Sequence, residues 1–159
     1  MANPIPSLEV VRDLYSYDPV NGRVTNKRNI SSRARIGQEA GARDNGYRKI
    51  QINGSQYGAH RIAWYLYYGA WPDKFIDHIN GDRSDNRIEN LRLASVTENQ
   101  INSRARPSAS GIKGARRVGN RYRSQCYHEH LGYFDTPEQA HEAYMARARE
   151  LFGEFARSA

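Results

Sequence analysis

The apolar positions of this chain change period repeatedly, and each change marks a boundary between expected elements. After Ser7, which can cap a helix, Leu8, Val11, Leu14 and Tyr15 recur at helical spacing and predict a short helix. Asp18-Pro-Val-Asn21-Gly22 is turn chemistry, and Arg23 to Thr25 reads as a short strand after it. From Lys27 to Arg43 the pattern loses any period and becomes rich in Arg, Ser and Gly, the mark of a basic loop. Tyr47 to Ile52, then Asn53-Gly54, then Gln56 to His60 predicts a hairpin. Ile62, Ala63, Leu66 and Tyr67 return to helical spacing between His60 and Tyr68, with Gly69 as a C-cap and Pro72 as a stop. Phe75-Ile76 leads into a strand, Ile88 to Leu93 forms a second apolar strand ending on Leu91-Arg-Leu93, and Ser95 or Thr97 can cap a helix through Asn102.

Beyond Asn102 the pattern changes character. Residues 103–110 are small, basic and broken by Pro107, which predicts a linker. Three strands follow, Gly111 to Arg116, Arg121 to Tyr127 and His130 to Phe134. Thr136-Pro137-Glu-Gln139 then supplies an N-cap, an N1 proline and a capping-box glutamine for a helix to Phe152. Its stripe is Ala140, Ala143, Tyr144, Ala148, Leu151 and Phe152, and Gly153 closes it. The expected architecture is α+β in two modules, 1–102 and 111–157, joined by 103–110.

Composition narrows the field. With 159 residues and 38% hydrophobic content, two small modules fit better than one large core. The net charge of +7, from 24 basic and 17 acidic residues, is the footprint of a nucleic-acid binder. A single cysteine, Cys126, excludes an intrachain disulfide framework and a Cys-rich zinc knuckle, so no structural zinc is expected. The sequence has no apolar run of membrane-spanning length and no signal-peptide layout at its start, from which a soluble, cytoplasmic protein is expected.

Candidate chemistry concentrates between Asp77 and Asn99. An imidazole adjoins a carboxylate there; Asn90 lies twelve positions after His78, and Asn99 nine after that. Hydrolysis of a phosphodiester needs a nucleophile made from water, a counter-charge for the transition state and help for the departing oxygen. A neutral His78 can take the proton of water. Asp77 is a hard donor suited to magnesium, and the Asn99 side-chain oxygen can extend the coordination sphere from a first helical turn that also favours phosphate. Adjacent strand residues point to opposite faces, so Asp77 and His78 share a site only if the strand ends or bends there, for which Asn80-Gly81 provides the turn. The competing reading is a polar loop of Asp77, Asn80, Asp82, Asp85 and Asn86; a calcium loop of EF-hand type fails on its offsets.

The stretch from Asp77 to Asn99 resembles the HNH nucleases, specifically the phage and intron-encoded branch related to homing endonucleases. The resemblance implies two strands and a helix, a ββα-metal module with its core at 75–102, folded around one divalent ion. Magnesium is the expected metal and manganese its alternative. His78 is then the general base, Asp77 and Asn99 the metal ligands, and Asn90 the residue that orients the imidazole. Similar phage nucleases often carry Ala-His-Arg where this chain has Ala59-His60-Arg61; His60 is expected to be a packing residue outside the catalytic set.

Gly111-Ile-Lys-Gly114, Leu131-Gly-Tyr-Phe134-Asp-Thr136 and Glu138-Gln-Ala140-His-Glu-Ala143-Tyr144 resemble the plant Apetala/ethylene-response-factor DNA-binding domain over about residues 110 to 156. That resemblance implies a three-stranded antiparallel sheet on one helix, with the sheet in the major groove. Alternation alone sets Arg121, Arg123, Gln125 and Tyr127 on one face and Tyr122, Ser124 and Cys126 on the other. Arginine can grip guanine and glutamine can read adenine, while Lys113, Arg116, Arg117 and His130 extend the candidate surface. His128 and His130 lack a third partner for a metal.

The expected function is metal-dependent cleavage of double-stranded DNA by a phage-like or homing-type endonuclease, acting as a monomer or weak dimer without a small-molecule cofactor. A non-catalytic DNA-binding transcriptional regulator is the alternative. An RNA-binding module fits less well, because aromatic stacking platforms are not evident.

Overall fold

The Asn53-Gly54 turn forms as its chemistry dictates, with both residues at positive φ, 49° and 81°. In the computed structural model, which describes residues 4–103 and 111–158, this turn joins β4 (Tyr47–Ile52) to β5 (Ser55–Gly58). The architecture is α+β and divides into two units, one ending at Ala94 and one beginning at Ser95. The sequence-based division falls later, after Asn102, and most of the expected linker, 104–110, lies outside the described residues.

In the first unit Ser7 caps α1 (Leu8–Leu14), its Oγ accepting from the Val10 amide. The helix stops one residue short of expectation, because Tyr15 opens a strand rather than a last helical turn. That strand, β1 (Tyr15–Asp18), pairs antiparallel with β2 (Arg23–Asn26). The basic loop also contains a short strand, β3 (Ala42–Asp44), on the edge of a three-stranded sheet in the order β3-β4-β5. Next comes α2 (Ala59–Tyr68), closed by Gly69 in left-handed geometry. Val11, Val24, Ile50, Ile52 and Ile62 are all essentially inaccessible and form the centre of the core.

A two-stranded ribbon follows, β6 (Phe75–His78) antiparallel to β7 (Leu91–Ala94). Ile88 to Asn90, expected as strand, is instead a 3-10 turn. Arg61 staples the segment leading into β6, its guanidinium donating to the carbonyls of Pro72 and Lys74 and lying 4.9 Å from the Trp71 ring.

The second unit opens with α3 (Val96–Asn102), where Ser95 and Glu98 complete a reciprocal capping box. Residues 111–114 bend rather than extend, since Gly111 and Gly114 take φ of 65° and 77°; the strand expected there begins later, as β8 (Ala115–Val118). It pairs with β9 (Arg121–Cys126), which pairs with β10 (Glu129–Phe134). One side of this sheet is covered by α4 (Pro137–Phe152), with Thr136 and Gln139 forming its capping box. Ser124 Oγ, fully buried, donates to the Ala140 carbonyl at 2.7 Å. Met145 occupies the buried stripe where Leu151 was expected, and Leu151 is exposed.

Gly111 and Gly114 provide a controlled comparison. A Cβ on Gly111 meets open space, whereas one on Gly114 would fall 2.2 Å from Cγ of Tyr144. Gly111→Ala is expected to cost about 1 kcal/mol, the backbone penalty alone. Gly114→Ala adds displacement of a core ring and should cost at least about 2 kcal/mol more. Urea unfolding of the two variants checks the difference.

Candidate active site

His78 ends β6 and is only 4% exposed. Its Nε2 lies 3.1 Å from Oδ1 of Asn86. An amide oxygen can only accept, so Nε2 carries the proton and the lone pair resides on Nδ1. Burial lowers the affinity of the ring for a second proton, with the Asn86 bond and the field of Asp77 opposing it, and the net direction is down. The imidazole is therefore neutral near pH 7.

Asn86 is held from several sides. Its carbonyl accepts from Tyr17 Oη at 2.8 Å, and the next backbone amide but one, that of Ile88, donates to the Pro19 carbonyl. Gly22 in the β1–β2 turn comes so close that a Cβ there would sit 2.5 Å from the Arg87 nitrogen. The N-terminal hairpin thus presses directly on the segment that carries the imidazole's partner.

Asn90 does different work from that expected. Its Oδ1 accepts from the Asn80 amide at 2.9 Å and its Nδ2 donates to the Asp85 carbonyl at 2.8 Å, so it fastens the two ends of the loop together. The amide found on the His78 ring is that of Asn86. Asn80, Asp82 and Asp85 behave as the polar-loop reading had it. Asp82 accepts from the Ser84 amide and hydroxyl, and Asp85 is gripped by Arg87 and Asn80, which holds its carboxyl down at about 2.

Asp77 is 4% exposed, with Oδ2 3.0 Å from Nε of Arg92, its cross-strand neighbour. Pairing is regular through His78, so Asp77 and His78 leave the ribbon on opposite faces, and the ribbon ends there in a turn closed by the Gly81 amide on the His78 carbonyl. Asn99 stands in α3, half-buried, in the second unit. Among the described residues no three His, Cys, Asp or Glu side chains converge on a metal position.

Two residues outside the expected set adjoin His78. The ring centroids of His60 and Tyr47 lie 5.4 and 6.0 Å from that of His78. Burial, ahead of the nearby His78 and Arg61, pushes His60 down to about 3. The Ala-His-Arg string was the available signal for His60; nothing local marked Tyr47 or singled Asn86 out from its polar neighbours.

In the second unit the sheet face away from α4 carries Arg116, Arg121, Arg123 and Gln125. Cross-strand register sets Arg116 beside Arg123, Arg123 beside Tyr133 and Gln125 beside His130. Arg121 donates to the Tyr133 carbonyl and pairs with exposed Asp135, and Arg117 alternates to the other side, beside Tyr122. Arg123 Nε is buried with no hydrogen-bond partner among the described residues. Two expected members do not join this face. Tyr127 turns out of the strand at φ 54° and its ring meets Phe152. Lys113 spends its ammonium on the carbonyls of Ile101 and Arg157, where burial lowers it to about 8.

Residues 57–101, from within β5 into α3, match the family model described as HNH endonuclease. This part of the chain is thus similar to the HNH endonucleases. A protein of Acanthamoeba polyphaga mimivirus described as an uncharacterised HNH endonuclease is 35% identical over 104 residues, which is 61% of this chain and 54% of that protein. The chain thus spans about half the length of the curated relative it matches. No solved structure matches the chain. No helix among the described residues is long and apolar enough to cross a membrane.

The depressed His60 fixes a pH dependence. Unfolded His60 binds its proton near 6.5 and the folded one near 3, so the unfolded state takes up protons first as pH falls. Stability is complete above about pH 6.5 and declines below it. Between about pH 6.5 and 4, above the range in which Asp82 and Asp85 protonate, the thermal midpoint should fall steadily, and His60→Phe should make that fall shallower.

Proposed function

We propose that the protein is a metal-dependent endonuclease that cleaves double-stranded DNA, with His78 as general base. The observation that carries this reading is a buried, neutral imidazole, fixed in one tautomer by Asn86, inside a segment matching the HNH endonucleases. Water placed at Nδ1 loses its proton to His78 as its oxygen attacks phosphorus, and the ring returns that proton to solvent after the 3′ oxygen has left.

HNH nucleases generally use a divalent ion, and the donor chemistry here fits a hard one. The Asp77 carboxylate, fixed in direction by Arg92, and the Asn99 amide oxygen are both oxygen donors of the kind magnesium or manganese takes. When bound, the ion supplies charge neutralisation at the phosphate and stabilises the departing oxygen. In this proposal Asp77 and His78, adjacent at the end of β6, serve one phosphodiester. Asn90 supports the site through the loop it fastens.

The three-stranded sheet of the second unit is the DNA-reading surface of this proposal, in the manner of the Apetala-type domain. Its support is the basic row Arg116–Arg123 beside Gln125 and His130, together with the unsatisfied donor of Arg123. A phage or homing-type role agrees with the viral source of the relative.

The direct test is conversion of a supercoiled plasmid, carrying the DNA that flanks the coding sequence, to open or linear form. Cleavage is expected with magnesium or manganese, and its abolition by chelation and by His78→Ala; cutting that survives either change would overturn the mechanism. On DNA binding, Arg123→Ala is expected to weaken duplex affinity by about 1–3 kcal/mol and to reduce the salt slope by about one phosphate's worth, near −0.9. Filter binding across a salt series reads both, and parent-like affinity would remove the sheet from the interface.

A further inference from the structure

Gly58 caps α2 with φ −64° and ψ 135°, extended backbone that any residue adopts. Its missing side chain therefore answers to space. A Cβ there would lie 2.4 Å from Cε1 of His60, 2.9 Å from Nδ1 and 3.0 Å from Nε2. The His60 ring is folded back against bare backbone at the start of its own helix.

From that seat the ring meets two others. Tyr47 lies 5.4 Å away, tilted at 48°, and His78 lies 5.4 Å away, edge to face at 72°. Tyr47 is pinned in turn, with the Arg83 guanidinium 4.8 Å over its face. Three rings from β4, α2 and β6 thus close on one another, and His78 is the one that carries the proposed chemistry.

We infer that His60 is a positioning residue: its ring, seated in the space Gly58 leaves, fixes the plane of the His78 imidazole and so the direction of Nδ1. The inference rests on the reading of His78 as the base. The Nε2 bond to Asn86 sets the tautomer only while the ring keeps Nε2 aimed at that oxygen, and an edge-to-face neighbour holds the ring in the plane that does so. A neutral ring suits the task, because a cation in that seat would oppose proton uptake by His78. Burial keeps His60 neutral, and the fields of Arg61, Lys49 and His78 act in the same direction.

The test uses the full chain with nitrogen-15-labelled histidine, in four variants: Gly58→Ala, His60→Ala, the two together, and His60→Phe. Side-chain nitrogen shifts of His78 report its tautomer, calorimetry reports folding, and the flanking-DNA plasmid reports kcat and KM. In the parent, His78 should show the Nε2-protonated form alone. Gly58→Ala moves the His60 ring without changing its chemistry, so it and His60→Ala should both give averaged His78 nitrogens. Both should also lower kcat by roughly tenfold or more, with KM within about twofold of the parent. The double variant should be no slower than the slower single one. His60→Phe, which retains a neutral ring, should recover most of the loss.

Parent-like His78 shifts in Gly58→Ala and His60→Ala, or losses that multiply in the double variant, would overturn the inference. A histidine that only packs would lower the melting temperature and leave kcat alone. Should His60→Ala fail to fold, Gly58→Ala decides the matter. If the parent does not cut, or cuts equally well with His78→Ala, the nuclease reading falls, and the His78 shifts still decide whether His60 holds that ring.

Discussion

A buried imidazole has two nitrogens and a flat ring, and its use depends on which nitrogen holds the proton and where the other points. The hydrogen bond between His78 Nε2 and Asn86 Oδ1 answers the first question, and much of the first unit exists to keep Asn86 in place. Tyr17 bonds its carbonyl, Pro19 receives the Ile88 amide, and Gly22 packs against its peptide bond to Arg87. Asn90 closes the loop behind it by spanning from the Asn80 amide to the Asp85 carbonyl. A polar side chain with no apolar anchor of its own is thus located by backbone contacts from elements remote in sequence.

The acidic and amide side chains between Asn80 and Asn90 divide into two kinds of work. Most build the loop: Asp82 satisfies Ser84, Asp85 is held by Arg87 and Asn80, and Asn90 ties the ends. Such local bonds are what Asx residues ordinarily make. Asn86 alone among them turns to the imidazole. The polar-loop reading therefore describes Asn80, Asp82 and Asp85, while Asn86, from the same loop, bonds the imidazole.

What could be read from the sequence follows from how local its cause was. The Asn53-Gly54 hairpin, the Ser95 and Thr136 caps and the Pro137–Phe152 helix depend on neighbours within a turn or two, and all are legible. The spacing around His78 singled out an imidazole that the structure buries beside Asn86. The β1–β2 hairpin was half missed because four-residue strands carry too little alternation to announce themselves. Lys113 looked like a phosphate contact until folding placed it against the Ile101 and Arg157 carbonyls, a pairing separated by dozens of residues on one side. Tyr127 obeyed alternation on paper, but a left-handed backbone ended the strand before it. The partners of His78 shared this difficulty: Tyr47 and Asn86 are ordinary residues whose significance is wholly a matter of position.

The near contact of Gly22 with the Asn86–Arg87 peptide bears on how this protein can be divided. The segment similar to the HNH endonucleases starts at residue 57, yet the peptide that orients its histidine leans on a turn thirty-five residues earlier in the chain. The smallest fragment able to hold that imidazole is therefore longer than the shared motif and reaches back through the first hairpin. Transplanting the motif alone into another scaffold would carry the reactive group across and leave its alignment behind.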